Sequence, residues 1–185
     1  MKLWLARHAC TLAPEGTCYG ASDVEADAAA TLEAAQALAA SLPAGLVVRS
    51  SPLRRCRQLA EALQGLRADL AHEPDARIAE MDFGTWEGQR WDAIGRGAMD
   101  RWMADFAAHR CGGGESVTLL LERVDAALHA MRARGDDALW ITHAGVVRAV
   151  RLLARGAGVP PTAADWPVES LAFGACVALD VPPRP

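Results

Sequence analysis

Three short stretches of this chain each run from apolar residues onto a cationic or imidazole side chain. Lys2-Leu-Trp-Leu-Ala-Arg-His8 stops on the pair Arg7 and His8. Leu46-Val-Val-Arg-Ser50 leads into Ser51-Pro-Leu-Arg-Arg-Cys-Arg57, which carries Arg54 and Arg55. Asp137-Ala-Leu-Trp-Ile-Thr142 is followed by His143, Ala144 and Gly145. A guanidinium is a planar, permanently charged fork that matches phosphate oxygens. An imidazole is largely neutral near pH 7, and its free ring nitrogen can act as a nucleophile. Together these types describe a site that holds a phosphoryl group and attacks it. One such stretch reads equally well as a strand entering a polar turn; the threefold repetition favours the site.

The elements that must position these residues follow from pattern. Each apolar run is a buried-strand signal, and open α/β sheets bind ligands outside the carboxyl ends of their strands. After the second run, Ser51 suits an N-cap and Pro52 the first helical position. A helix over 52–64 then turns Leu53, Cys56, Ala60 and Leu63 inward. Its first turn carries Arg54 and Arg55, whose charge opposes the helix dipole unless an anion is bound there. Elsewhere the reading predicts a helix over 27–42, stopped by Pro43 and Gly45, and turns with short extended pieces over 70–89. An interrupted helix over 91–109 comes next, broken by Gly95 and Gly97. Beyond Gly112-Gly-Gly114 lies a helix over 116–134 with an apolar stripe at Val117, Leu120, Leu121, Val124, Leu128 and Met131. The glycine after His143 opens a turn into a helix reaching residue 155. A Gly/Pro-rich loop to residue 167, a strand within 171–181 and a fraying Pro-rich end complete the chain.

Composition narrows the functional classes. A chain of 185 residues with 51% apolar content fits one compact domain spanning 1–185. A net charge of −4 argues against a general nucleic-acid binder, while a local Arg/His cluster still attracts an anionic small molecule. The five cysteines are scattered and odd in number, a poor disulfide framework that fits a reducing cytoplasm. There is no Cys-x-x-Cys or His-x-x-x-His pair, so neither a metal nor another cofactor is expected. His8 and Cys10 would share a face if the strand continued, but no further ligands accompany them. The N-terminal apolar run is too short for a signal peptide or a membrane span.

The ordered set of motifs resembles the histidine phosphatase superfamily, in its phosphoglycerate-mutase-like branch. It comprises Leu5-Ala-Arg-His-Ala-Cys-Thr11, Ser50-Ser-Pro-Leu-Arg-Arg-Cys56, Glu80-Met-Asp-Phe-Gly-Thr-Trp-Glu-Gly88, Gly113-Gly-Glu-Ser116 and Ile141-Thr-His-Ala-Gly-Val146. Within the branch, Gly16-Thr-Cys-Tyr-Gly-Ala-Ser-Asp23 and the segment 80–88 are most similar to bacterial α-ribazole phosphatases of cobalamin nucleotide-loop assembly. The resemblance implies a three-layer α/β/α sandwich with a mostly parallel central sheet. It implies a metal-independent phosphomonoesterase in which His8 becomes phosphorylated while Arg7, Arg55 and His143 hold the phosphoryl group. Glu80 is the implied proton donor to the leaving group, with Glu87 as second candidate. Thr11, Tyr19, Glu87 and Ala144 join Arg7, Arg55 and His143 as implied substrate contacts. Trp86 either walls the pocket or packs in the core, and Tyr19 and Asp23 either border the leaving group or serve a turn.

The chain departs from the family pattern at four places. Ala9 replaces the usual glycine after the nucleophile, Cys10 the usual acid, Pro14 a phosphate-contacting Asn, and Ala144 a frequent glycine. Alanine is a mild replacement unless a positive φ is required; the missing Asn removes one phosphate contact. The expected partner is a phosphorylated small molecule. Alternatives are a broad sugar-phosphate phosphatase, a phosphoglycerate mutase and, in a different class, a silent phospho-ligand binding protein.

Overall fold

The computed structural model describes residues 1–156 and 162–181. Its five strands are β1 (Lys2–Arg7), β2 (Val47–Ser50), β3 (His72–Pro74), β4 (Ala138–Thr142) and β5 (Cys176–Asp180). They form one sheet in the order β3-β2-β4-β1-β5, in which only β5 runs antiparallel. The helices are α1 (Ala28–Ser41), α2 (Arg54–Leu66), α3 (Arg96–Ala104), α4 (Val117–Arg134) and α5 (Ala144–Ala154).

Side-chain alternation divides the sheet into two buried faces. Ala6, Val48, Leu139 and Ile141 pack with Ala35 and Leu38 of α1 and Leu59 and Leu63 of α2. Leu3, Leu5, Ala138 and Trp140 pack with Leu120, Val124 and Leu128 of α4 and Val146 and Val150 of α5. Both faces are covered, which is why β1 and β4 read as nearly unbroken apolar runs. The three-layer α/β/α sandwich expected from the motifs is therefore the observed fold.

Strand order brings the three chemical stretches together. β4 inserts between β1 and β2, with Arg7 opposite Thr142 and Ser50 opposite Ile141. The ladder continues one residue past each strand: His8 N–H donates to the Thr142 carbonyl (3.1 Å) and Ser51 N–H to the Ile141 carbonyl (2.9 Å). His8, Ser51 and His143 thus start as neighbours.

Several local expectations change. α2 begins at Arg54, not Pro52, and Leu53 stands at its cap position without a side-chain bond. The capping acceptor comes from a distant loop, where Asp23 Oδ1 accepts the Arg54 N–H at 2.5 Å. This gives Asp23 a helix-capping role. α5 begins directly at Ala144, with His143 as its cap residue, so Gly145 sits in the first helical turn and has no positive φ. The interrupted helix condenses into α3 with Gly95 as its cap residue, preceded by a 3₁₀ turn over Trp91–Ala93. The last strand is shorter than the 171–181 window. Part of the Gly/Pro-rich loop (157–161) and the Pro-rich end (182–185) lie outside the described residues.

Gly112 and Gly114 pack against the segment that carries Glu80. Gly112 has φ +56°, and a Cβ on it would lie 2.3 Å from the Phe83 carbonyl oxygen. Backbone atoms cannot swing aside as a side-chain tip can. Gly112→Ala should therefore lower the unfolding free energy by more than the about 1–2 kcal/mol cost of a left-handed L-residue. Urea denaturation with an unchanged midpoint would contradict this packing role.

Candidate active site

His8 leaves β1 with its ring only 3% exposed. Nδ1 lies 2.7 Å from the Ala9 carbonyl oxygen. A carbonyl only accepts, so Nδ1 carries the proton and Nε2 keeps its lone pair. Burial first, then the charge of Arg55, pulls the His8 pKa down to about 3; the Ala9 bond opposes this and Arg7 adds to it. The ring is neutral at pH 7.

Arg55, the second residue of α2, is fully buried. Its Nη1 donates to the Ser22 carbonyl (2.8 Å), its Nη2 to the Gly20 carbonyl (2.7 Å) and its Nε to His143 Nδ1 (3.3 Å). His143 is also fully buried, and Nε2 makes a 2.8 Å bond with Ser51 Oγ. Accepting at Nδ1 leaves the proton on Nε2, which donates to the serine. Ser51, expected to cap a helix, accepts the Leu53 N–H at 3.3 Å just before α2 and supports this ring as well. The rings of His8 and His143 are 5.1 Å apart. His143 thus backs His8 and Arg55 and does not form part of the cavity wall. Burial, then Arg55, holds its pKa well below the ordinary histidine value.

Arg7 donates from Nη1 to the Leu171 carbonyl (2.7 Å), and its guanidinium lies 3.7 Å from the Phe173 ring centroid. Its Nε is buried without a hydrogen-bond partner among the described residues. Burial lowers its pKa from the ordinary arginine value, yet a guanidinium stays charged in a protein.

Glu80 sits at the N-terminus of α5. Oε2 accepts the Gly145 N–H (3.0 Å) and Oε1 the Met81 N–H (3.0 Å). A Cβ on Gly145 would lie 2.2 Å from Glu80 Oε1, so the glycine is what admits the carboxylate. Sequence reading assigned Gly145 to a turn and missed this role.

The remaining expected contacts divide. Tyr19 and Ala144 line the cavity. Ala144 has no positive φ, which removes the conformational need for glycine there. Glu87 does not line it. Its carboxylate accepts the N–H groups of Ala21 (2.7 Å), Ser22 (2.6 Å) and Phe83 (3.0 Å) and the Ser22 hydroxyl. Burial pushes its pKa up, but the Ser22 hydroxyl and those three N–H groups outweigh this and hold it below the usual value. Glu87 is a loop anchor, which corrects its placing as acid or substrate contact. Thr11 forms a β-bridge with Ala26 away from the cavity wall. Trp86 is buried against Trp102, its ring centroid 5.8 Å away, and packs in the core. Cys10 borders a separate surface pocket, so it does not share a face with His8.

These groups open on one cavity of about 410 Å³. Arg7, His8, Arg55, Glu80 and Gly145 line its polar end, and Phe83, Trp91, Trp102, Phe106 and Trp166 give it an aromatic wall. Arg148 and Ser170 also line it. Apart from Trp102 and Phe106, four residues apart, the aromatic residues lie too far apart in sequence for periodicity to join them. Arg148 had a legible signal, because three and four residues after Gly145 and Ala144 is the same helix face. Among the described residues no group of three or more His, Cys, Asp or Glu could hold a metal ion. Nor is any described helix long and apolar enough to cross a membrane.

Comparison with known proteins agrees with this geometry. The family model of the histidine phosphatase superfamily (branch 1) matches residues 3–170. The protein TTHB049 from Thermus thermophilus is 32% identical with a TM-score of 0.75, covering 100% of this chain and 96% of its own. A phosphoglycerate mutase from the same organism is 31% identical with a TM-score of 0.76, covering 100% and 95%. A mycobacterial glucosyl-3-phosphoglycerate phosphatase shares the fold at 24% identity and a TM-score of 0.80, covering 96% and 88%. No curated protein matches the sequence.

Two outcomes follow from the buried histidines and the Gly145 contact. The folded pKa of His8, about 3, lies below an unfolded value near 6.5. Between those values only the unfolded chain binds the proton, so stability falls as pH drops from about 6.5 toward 3. At pH 5 the loss from such a group is about 2 kcal/mol, and His143 acts in the same direction. Urea unfolding at pH 7 and pH 5 should show it, and His8→Gln should flatten the dependence; an identical slope in that variant would refute the assignment. Gly145→Ala should keep its stability within about 1 kcal/mol, because alanine favours the helix and the displaced atom is a side-chain tip. Displacing Glu80 should still cost about 10²-fold in turnover of an alkyl phosphate ester. Unchanged turnover would show that the contact is dispensable.

Proposed function

The chain belongs to the histidine phosphatase superfamily, branch 1, and from that membership we propose a phosphomonoesterase working through a phosphohistidine on His8. The observation that carries the reading is the state of His8. A neutral ring with an unprotonated Nε2 lines the cavity between two arginines and beside a carboxyl group. Nε2 attacks phosphorus, the ester P–O bond breaks, and the departing oxygen takes a proton from Glu80. Water then attacks the phosphohistidine, gives a proton to Glu80, and releases phosphate with Nε2 restored. Arg7 and Arg55 stabilise charge on the phosphoryl oxygens, which is most of what phosphoryl transfer requires. The 3.3 Å contact between Arg55 and His143 is long, and catalytic contacts tighten or exchange when substrate binds. On this reading the Arg55 Nε–H exchanges that contact for a phosphoryl oxygen.

For the leaving group we propose α-ribazole, from α-ribazole 5′-phosphate. The support is the likeness of segments 16–23 and 80–88 to α-ribazole phosphatases, together with an aromatic wall suited to a flat heterocycle. The cavity volume falls in the range, roughly 300–1,000 Å³, of sites for molecules of this size. A mutase reading draws on the 31% identical relative, and length does not separate the two, because that protein is covered over 95% of its own chain.

The test traps the intermediate in the presence of a chelator. Quenching without acid, followed by mass spectrometry, should find phosphate on His8, and His8→Ala should release none. Glu80→Gln should slow the burst with α-ribazole 5′-phosphate about 10²–10⁴-fold more than with p-nitrophenyl phosphate, whose leaving group needs little protonation. Phosphate on a cysteine, or an active His8→Ala variant, would overturn the mechanism. Isomerised phosphoglycerate without phosphate release would make the protein a mutase. Saturable binding without release would make it a binding protein. A rate on α-ribazole 5′-phosphate no higher than on generic sugar phosphates would remove only the narrow substrate.

A further inference from the structure

Besides the Arg7 Nε–H, two further donors on residues lining the cavity lack acceptors among the described residues. Arg148 on α5 makes no hydrogen bond or salt bridge among the described residues, and its Nε is buried. Trp102, stacked on Phe106 at 5.4 Å, has a buried Nε1–H that is likewise without a partner among the described residues. Unpaired buried donors are costly and uncommon, and they call for an acceptor from outside the protein. Neither group can accept a hydrogen bond itself. Among the described residues the only carboxylate lining the cavity is Glu80, whose two oxygens already accept backbone N–H groups. Arg148 also bears on the charge of Arg7, lowering its pKa, so the two guanidinium groups face a shared space.

Arg148 stems from further along α5 than the residues at its N-terminus. It lies on the helix face of Ala144 and Gly145, and its Cα is about 5–6 Å further along the α5 axis than the helix N-terminus. Arg7 and Arg55 already supply guanidinium groups for the phosphoryl oxygens on the proposed reading, which leaves Arg148 and Trp102, a member of the aromatic wall, for the leaving group. We propose that Arg148 and the Trp102 N–H form a donor-only subsite for an oxygen acceptor on the leaving group. The oxygen belongs to sugar hydroxyls or to a carboxylate, and the subsite selects substrates that carry it. This inference rests on the phosphomonoesterase reading and deepens it.

The experiment compares three esters: phenyl phosphate, which has no such oxygen, α-ribazole 5′-phosphate and 3-phosphoglycerate. Arg148→Ala should lower kcat/KM for an oxygen-bearing ester by about 10- to 100-fold relative to phenyl phosphate, mainly through KM. Arg148→Lys should recover part of that loss, and Trp102→Phe should show a smaller loss of the same selectivity. Loss on the ribazole ester identifies hydroxyls as the acceptor; loss on 3-phosphoglycerate identifies a carboxylate. An equal fall for phenyl phosphate would assign Arg148 to the phosphoryl group or to stability. An unmoved ratio for both oxygen-bearing esters would also overturn the subsite. If the phosphatase reading itself fails, the wild type turns over none of the three. Calorimetric binding of the same esters then makes the same comparison without catalysis, and equal binding by wild type and Arg148→Ala would overturn the subsite.

Discussion

A fully buried arginine without a carboxylate partner is the constraint around which the site is organised. Arg55 makes no salt bridge among the described residues, and its donors meet two backbone carbonyls and a ring nitrogen. Removing a charge from water costs several kcal/mol even after relaxation. Its place at the start of α2 also sets it against the helix dipole. Both costs fall when a phosphate dianion binds beside it. A site that leaves a cation incompletely compensated when empty is therefore one suited to an anion.

The same charge keeps the His8 ring neutral. Arg55 disfavours protonation of both His8 and His143, second only to burial. A protonated His8 would have no lone pair with which to attack phosphorus. On the proposed mechanism, the charge that holds the substrate thus also holds His8 in its reactive state.

Holding Arg55 in place requires a chain of contacts outside the reaction. Glu87 accepts the N–H groups of Ala21 and Ser22, which fixes the loop whose Gly20 and Ser22 carbonyls receive the guanidinium. A Cβ on Gly20 would lie 1.7 Å from the Met81 carbonyl oxygen, so the loop closes onto the Glu80 segment only with glycine there. Asp23 in turn caps α2 at Arg54. Residues that looked like substrate contacts in sequence therefore position the two segments carrying Arg55 and Glu80.

The sequence by itself determined most of the strands and helices and singled out His8 as the candidate nucleophile. Those signals are local: apolar runs, a helical stripe such as that of α4, and short motifs whose neighbours are adjacent in the chain. It also singled out Arg7, Arg55 and Glu80, which line one cavity with His8, because strand ends and motif order survive folding unchanged. What only the tertiary structure decided is how distant groups share hydrogen-bond capacity. Ser51 had a plausible local use as a cap, but β4 brings His143 within reach of its hydroxyl. Glu87 carried a plausible catalytic type, but four donors from elsewhere occupy its carboxylate. The aromatic wall and the unpaired donors of Arg148 and Trp102 likewise arise where separate elements meet. A side chain's type states what it can donate or accept. Which partner it meets depends on long-range packing, and no local pattern encodes that choice.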